Sequence, residues 1–289
     1  MENLRGSLLM VAAMAGFALE DMFVKALARH LPVGEVLTLV GLGGALIFAV
    51  LALARGDRLV SRDILLPAVV ARNFSELAGT IFFVSAIALT PLAQASAIQQ
   101  ATPLAVTLGA ALFLGETVGW RRWTAIIVGL IGVIIVVRPG TEGFSALSLL
   151  AVASVAGLAA RDVVTRKVPR RISSMQLATW GFASVIPAGL GLMAIQGAPA
   201  LMPDALQIAM LAGAMGFGTA GYYALIGAMR IGEVAVITPF RYTRLIFAVL
   251  IGWAVFAERP DRYTLIGGAV IVASGLYTLW RQRRAARKS

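Results

Sequence analysis

The sequence predicts an all-α polytopic membrane protein, ten transmembrane helices arranged as two inverted five-helix repeats. Three observations carry this. The chain of 289 residues is 59% hydrophobic with a mean hydropathy of +0.86, far above the roughly 45–50% apolar content of soluble domains. Its apolar residues fall into ten stretches, each near the roughly 20 residues that a helix needs to cross a bilayer. The second half also repeats the first at an offset close to 141 residues.

In chain order the spans cover 8–27, 33–54, 64–89, 93–114, 121–138, 146–166, 175–196, 204–229, 233–257 and 263–281. The first has no basic leader and no small-residue cleavage site, and further spans follow it, so it reads as a retained helix. Thr90-Pro91, Arg138-Pro139-Gly140 and residues 197–203 are turn signals with no room for another domain. Gly41, Gly43 and Gly44 in span two, and Gly213, Gly216, Gly218 and Gly221 in span eight, suit close helix contact in lipid. Trp253 and Trp280 sit near span ends, as interfacial belt residues do.

The net charge of +11 invites a nucleic-acid reading, but its placement argues against one. With a cytoplasmic N-terminus, 16 of the 25 Lys and Arg residues lie in inside segments, 5 in outside segments and 4 within spans. This is a positive-inside distribution with both termini cytoplasmic. The basic tail RQRRAARKS then serves as a topology and lipid-surface anchor. The partners expected are membrane lipids and a small-molecule substrate, not nucleic acid.

The repeat is visible without gaps. Val11, Ala12, Ala15, Gly16, Ala18 and Asp21 fall on Val152, Ala153, Ala156, Gly157, Ala159 and Asp162 at offset 141; Glu116 falls on Glu258 at 142 and Gly132 on Gly275 at 143. The halves are residues 1–140 and 141–289. Five spans per half is an odd number, so the second half enters the membrane from the opposite side. Inverted repeats of this kind place a site near the midplane between halves.

Several motifs fail on context. Gly216-Phe-Gly-Thr-Ala-Gly221 matches a dinucleotide-binding pattern but lies inside a span and follows no strand. Asn73-Phe-Ser75 matches a glycosylation acceptor but is also within a span. With no Cys, one His and no phosphate-binding loop, no metal centre, cofactor or ATP coupling is expected. No nucleophile–base constellation points to an enzyme.

What remains is charge at depth. Glu20, Asp21, Arg72, Glu76, Arg161, Asp162, Arg241 and Arg244 lie within spans, four acidic and four basic. A guanidinium at the bilayer centre costs about 3 kcal/mol on insertion scales, so such groups face a bundle interior or a watery cavity. Two readings stand: internal salt bridges that hold the bundle, or a lined pathway. For Arg161 and Asp162, near a span end, snorkelling to the interface is a third. Arg72 and Glu76 are four apart and share a helix face, as do Arg241 and Arg244 at three apart. Pro103 and Pro239 interrupt spans four and nine, freeing backbone carbonyls where a cavity can re-satisfy them. The expected substrate-binding set is Arg241, Tyr242, Arg72, Glu76, Gln99, Tyr222, Tyr223 and Trp180. Glu20, Asp21, Arg161, Asp162, Pro103 and Pro239 are expected in gating or coupling. Arg244 is expected as the structural partner of an acid such as Glu76.

Spans four and five, from ATPLAVTLGAALFLGETVGW onward, and span nine, TPFRYTRLIFAVLIGWAVFAE, resemble the EamA-type pattern of the drug/metabolite transporter superfamily. In it a mid-helix proline precedes a Gly-Glu or Ala-Glu, and a glycine-containing helix follows. Pro103, Gly115, Glu116, Gly129, Gly132 and the Arg138-Pro139-Gly140 ending match in the first half, and Pro239, Phe240, Tyr242, Arg244, Gly252, Phe256 and Glu258 in the second. The resemblance covers the whole chain. It implies a ten-helix inner-membrane carrier, usually an exporter, with a central cavity between halves. Members move amino acids, nucleotide-related metabolites, quaternary cations and drugs. Glu20-Asp21 and Arg72-Asn73 with Glu76 are more charged than in many such proteins and point away from a purely hydrophobic cargo. Export of amino acids or related small metabolites is the expectation. Uptake of a charged metabolite such as S-adenosylmethionine, export of cationic drugs, and a structural or lipid-handling role are the alternatives.

The charge asymmetry generates a topology prediction. Single cysteines placed at Ser61, Ser173, Thr141 and Ala200 of this Cys-free chain should divide cleanly in intact cells. Only Thr141→Cys and Ala200→Cys should react with an impermeant thiol reagent, and labelling of Ser61→Cys or Ser173→Cys from outside would refute the orientation.

Overall fold

The computed structural model describes residues 2–116, 119–169, 171–231 and 234–286. Arg170, Arg287 and Lys288, part of the basic bias, lie outside the described residues. Among the described residues the chain forms ten helical spans and no strand. These are α1 (Glu2–Leu27), α2 (Val33–Ala54), α3 (Pro67–Leu89), α4 in two pieces (Leu92–Gln99 and Thr102–Phe113) and α5 (Trp120–Val137). The second half holds α6 (Ser148–Thr165), α7 (Ser174–Gln196), α8 (Ala205–Ile231), α9 (Val234–Ile237, a 3-10 turn Thr238–Tyr242, then Thr243–Phe256) and α10 (Arg262–Ala286). Eight of these are long and apolar enough to cross a membrane. The other two are α3, which carries Arg72, Asn73 and Glu76, and the interrupted α4.

The two interruptions fall where proline chemistry puts them. Pro103 has no N–H to give the carbonyl of Gln99, and the Thr102 hydroxyl takes its place at 2.7 Å. Pro239 sits in the 3-10 turn of α9, and the Thr243 hydroxyl donates to the carbonyl of Phe240 at 2.7 Å. Ser173 opens α7 with a capping box: its hydroxyl accepts the N–H of Gln176 at 3.1 Å while the Gln176 carboxamide accepts the N–H of Ser173 at 2.8 Å. Gly115 (φ 67°) and Ala257 (φ 54°) both end their helices in the left-handed region, at equivalent positions of the two repeats.

Side-chain bonds sort the connections into two ends of the bundle. At the end that carries both termini, Gln176 donates to the carbonyl of Arg58 at 2.7 Å and Arg171 pairs with Asp63 at 2.6 Å. The Arg171 guanidinium, and after it the Ser61 hydroxyl, hold the Asp63 carboxyl below its ordinary range. At the opposite end the N–H of Leu201 bonds to Glu35 at 3.1 Å, and Arg138 pairs with Asp261.

Helix packing obeys a pseudo-two-fold. α1 lies on α8 and, equivalently, α6 on α3; α2 lies on α7 and α5 on α10, each pair self-equivalent. α1 also meets α9 as α6 meets α4. The largest contacts therefore join the halves. Glycine makes the closest of them possible: Gly16 faces Gly221 across α1 and α8, and Gly157 faces Gly79 across α6 and α3. Gly41 meets Phe182, its own counterpart at offset 141, close to the axis. The largest contiguous apolar core, including Val24, Leu27, Ile87, Leu92, Val136 and Ile271, lies toward the end opposite the termini. Toward the termini end the buried residues fall in three separate clusters, around Met10, Phe48 and Val69.

This packing separates two classes of glycine. A methyl group on Gly157 would lie 2.7 Å from the backbone nitrogen of Gly79, whereas one on Gly216 would meet nothing within 4 Å. Gly157→Ala should lose about 1–3 kcal/mol of stability through overpacking, read as a lower melting temperature in detergent. Gly216→Ala should match or slightly exceed the parent.

Candidate functional site

The embedded charges resolve into two ion-paired groups with one arginine and one carboxylate left over. On the side of α1 and α9, Asp21 and Arg244 form a two-pronged pair: Arg244 Nη2 lies 2.7 Å from Asp21 Oδ2 and 2.9 Å from Oδ1, and Nε 3.1 Å from Oδ2. Planar guanidinium and carboxylate match in this geometry. The rings of Phe17 and Phe83 flank the guanidinium, at 5.6 and 5.4 Å from their centroids. Arg244 therefore pairs with Asp21 and not with Glu76. The reason is lateral position, since α9 packs beside α1 and Glu76 already has two arginines.

Those arginines define the second group, on α3 and α6. Arg72 reaches Glu76 one turn on, as their spacing requires, and also donates to the carbonyl of Leu177 in α7 at 2.9 Å. Arg161 contacts Glu76 at 3.3 Å and Asp162 at 2.8 Å. Arg161 thus points inward to α3, with Asp162 bound to it from the same helix. Gly181 of α7 leaves the room for Glu76 and Arg72 that a side chain there would fill. Tyr222 of α8 sits within the electrostatic reach of Arg72, Glu76 and Arg161, its ring edge-on to Phe48 at 5.1 Å.

Arg241 and Glu20 have no ion-pair partner within 4 Å among the described residues. Arg241 is on the 3-10 turn of α9, with an exposed side chain. The charges that act on it are Asp162, Arg161 and Arg244. Glu20 lies against Gly218 of α8, and the charges that act on it are Asp21 and Arg244. Arg244, fixed on Asp21, acts on both unpaired groups. At the break in α4, the counterpart of that in α9, the Gln99 carboxamide binds the Thr102 hydroxyl at 3.2 Å and accepts the hydroxyl of Ser154 on α6 at 3.2 Å.

Three aromatic residues expected at the site lie elsewhere. Tyr242 is 5% exposed and its hydroxyl, buried without a hydrogen-bond partner, lies against Gly275 of α10. The 3-10 turn rotates it away from its neighbour Arg241. Trp180 is buried with Val69, Ile172 and Leu177, and gives its N–H to the carbonyl of Leu59 at 2.9 Å. Tyr223 stands under the guanidinium of Arg55, 5.8 Å from the ring centroid, near the termini end of α2. Sequence reasoning missed Lys25 and Glu258, a buried pair 2.9 Å apart at the end opposite the termini. A signal existed: Lys25 falls on Arg166 at offset 141, and Glu258 on Glu116.

Among the described residues no group of His, Cys, Asp and Glu side chains can hold a metal. The arrangement offers fixed and free charges beside two broken helices.

Comparison with known proteins agrees with this architecture. The chain is 30% identical over 210 residues to a riboflavin transporter of Rhizobium johnstonii, covering 73% of this chain and 69% of that one. It is 25% identical to an S-adenosylmethionine uptake transporter of Rickettsia felis, covering 69% and 67%. It is 26% identical to the pseudopaline exporter CntI of Pseudomonas aeruginosa, covering 93% and 94%. A solved crystal structure aligns over 97% of this chain and 98% of its own with a TM-score of 0.61 at 20% identity, a likeness of fold alone. The model of the EamA-like transporter family matches twice, over residues 4–138 and 146–280. The chain is a multi-pass membrane protein of the EamA-like transporter family, whose members are transporters and not enzymes.

Proposed function

We propose that this protein is a secondary carrier of the inner membrane that exports amino acids or related carboxylate-bearing metabolites by alternating access, with both termini cytoplasmic. The observation that carries the reading is the unpaired Arg241, exposed at the break of α9, together with the unpaired Glu20, both within the field of Arg244, itself fixed on Asp21. A zwitterion needs a cation for its carboxylate and an acceptor for its ammonium, and these two groups supply them. The ion pairs around them hold the site electrostatically without consuming either group. Tyr222 and Phe17 supply ring faces or edges for a side chain.

Within the same reading, Asp21 and Asp162 occupy equivalent repeat positions on opposite sides of the site and act in gating: each already bonds an arginine, Arg244 or Arg161, whose release would loosen one side. A second reading is uptake. It is favoured by the likeness to S-adenosylmethionine uptake transporters, since S-adenosylmethionine has a methionine end with the carboxylate and ammonium that Arg241 and Glu20 would receive.

Counterflow in proteoliposomes, with a panel of amino acids, S-adenosylmethionine, riboflavin and organic cations, tests cargo; inside-out vesicles test direction. Lysine at position 241 keeps the charge but loses the planar two-bond geometry. Arg241→Lys should therefore insert and fold normally yet weaken transport of carboxylate-bearing cargo by roughly 1–3 kcal/mol, the range for one charge-assisted hydrogen bond. Parent-like flux in this variant would remove Arg241 from the site.

Arg244→Ala strands the Asp21 carboxylate, and loss of one partner of a buried pair costs about 3–5 kcal/mol. It should lower the yield of monodisperse protein, and Asp21→Asn in the same chain should recover part of that yield. A well-folded but inactive Arg244→Ala would exchange the roles of the two arginines.

A further inference from the structure

A cavity of about 30 Å³ lies between α1, α2, α3 and α7, walled by Val24, Val36, Val40, Thr80, Val84 and Val185 among others. Val24, Val36 and Val185 are each 5% exposed or less. One water needs about 10–15 Å³ of such space, so the cavity has room for roughly two, the bulk of a short branched hydrocarbon group. Water suits it poorly. A buried water takes two to four polar partners, and among the described residues of the wall only Thr80 has a polar side chain.

The inverted repeat explains why the space is there. Gly41, also in the wall, and Phe182 are equivalent at offset 141 and meet near the axis, so one ring serves two places. The ring leans toward the termini end, where it stacks on Phe48 at 5.5 Å and lies against Gly44. The atoms nearest to a methyl group placed on Gly41 are instead the carbonyl oxygen of Phe182, at 3.1 Å, and Ile186. Val40 and Val185 of the wall have Gly181 and Gly44 as their counterparts at the same offset. On that side Glu76 with Arg72 fills the space beside Gly181, and the Phe182 ring the space beside Gly44. One side of the axis is thus packed by a ring and an ion pair, and the equivalent volume on the other side is the cavity.

The cavity adjoins the embedded charges. Val24 follows Glu20 by four residues and Asp21 by three, and Thr80 and Val84 follow Glu76 by four and eight. Each lies on the face of its helix that carries those acids. Phe83, next to Val84, flanks Arg244 at 5.4 Å. From Glu20 to Val24 the rise is about 6 Å. One hydrogen bond of about 2.8 Å and three covalent bonds of about 1.5 Å cover it.

We infer that this cavity is the subsite for the side chain of the cargo, and that it selects a short branched aliphatic group of the size of valine. The inference rests on the zwitterion reading above and deepens it: the ammonium on Glu20 places the branch of an α-amino acid one turn further along α1, between Val24, Thr80 and Val84.

Counterflow in proteoliposomes of the full chain, with glycine, alanine, valine, leucine and phenylalanine, reads the ranking as ratios of kcat/KM. Valine should lead, with glycine and phenylalanine each lower by about 10-fold or more, since one methylene in an apolar pocket is worth roughly 10- to 200-fold. Val84→Ala widens the cavity and should raise leucine over valine by about 10-fold. Val84→Ile narrows it and should raise alanine over valine by a like factor. If Val84→Ala does not fold, Val185→Ala on α7 reads the same widening. A second arm needs no cargo. The chain has no cysteine and Val36 is fully buried, so a thiol at Val36→Cys is reached through the cavity. Relative to free cysteine, methyl methanethiosulfonate should modify it far faster than the benzyl reagent.

A ranking that neither Val84 variant moves marks a packing void and overturns the subsite, while flux of the amino acids keeps the zwitterion reading. A ranking led by glycine or phenylalanine overturns it as well, as does a Val36→Cys thiol that reacts with neither reagent or with both alike. If no amino acid is moved but Val36→Cys takes the methyl reagent alone, the subsite stands for another cargo and the amino-acid reading falls.

Discussion

In hydrocarbon no water is present to satisfy a polar group, and that constraint orders this whole structure. Each backbone N–H and carbonyl within the slab must find a partner in the protein. Helices meet the demand by themselves, so the chain is ten helical spans. Among the described residues Pro187 is accommodated within α7, whereas at Pro103 and Pro239 the spans break, and there the Thr102 hydroxyl takes up the carbonyl of Gln99 and the Thr243 hydroxyl adds a bond to that of Phe240. The same constraint brings three of the four embedded carboxylates, Asp21, Glu76 and Asp162, to arginines.

The pseudo-two-fold turns that local chemistry into a site. Because α1 packs on α8 and α9 while α6 packs on α3 and α4, the two broken helices and the two charged helices of each half converge on the centre. Equivalent positions carry different groups: Gln99 and Gln100 stand where the second half has Arg241 and its neighbours. The bundle is therefore symmetric in backbone and asymmetric in charge. On the reading proposed above, a cargo at the centre would meet an amide on one side and a guanidinium on the other, on a scaffold that does not itself distinguish up from down.

Much of the fold was legible in the sequence because periodicity and hydropathy report on single helices. The ten spans agree with the helices to within three residues except at the two outermost ends, where the helices run six and five residues further; the breaks fall at two of the prolines, and Arg72 and Glu76 share a face because four residues make about one turn. Lateral neighbours are another matter. No pattern within α9 says whether Arg244 meets Asp21 or Glu76; that depends on which helix lies beside it. Tyr242 was read with Arg241 because they are adjacent, yet a 3-10 turn advances about 120° per residue and sends them to different sides. Lys25 looked like an ordinary charge at a span end, where interface and interior are not separated by hydropathy. Its burial follows from the turn of α3 and α4 closing over it.

Most of the large helix contacts run from one half to the other: α1 to α8, α3 to α6, α2 to α7, α5 to α10. Neither set of five helices owns a core. Gly16, Gly41 and Gly157 are shaped to a surface that the same half does not contain. A five-helix progenitor of either half would have had to insert in both directions, and to meet a copy of itself upside down, before it could bury its glycine faces. Such a progenitor could carry no strong bias of Lys and Arg between its two sides, since any bias would have favoured one orientation and starved the assembly of its partner. The gathering of Lys and Arg toward the end that carries both termini suits the fused form, where one reading of topology fixes both halves at once.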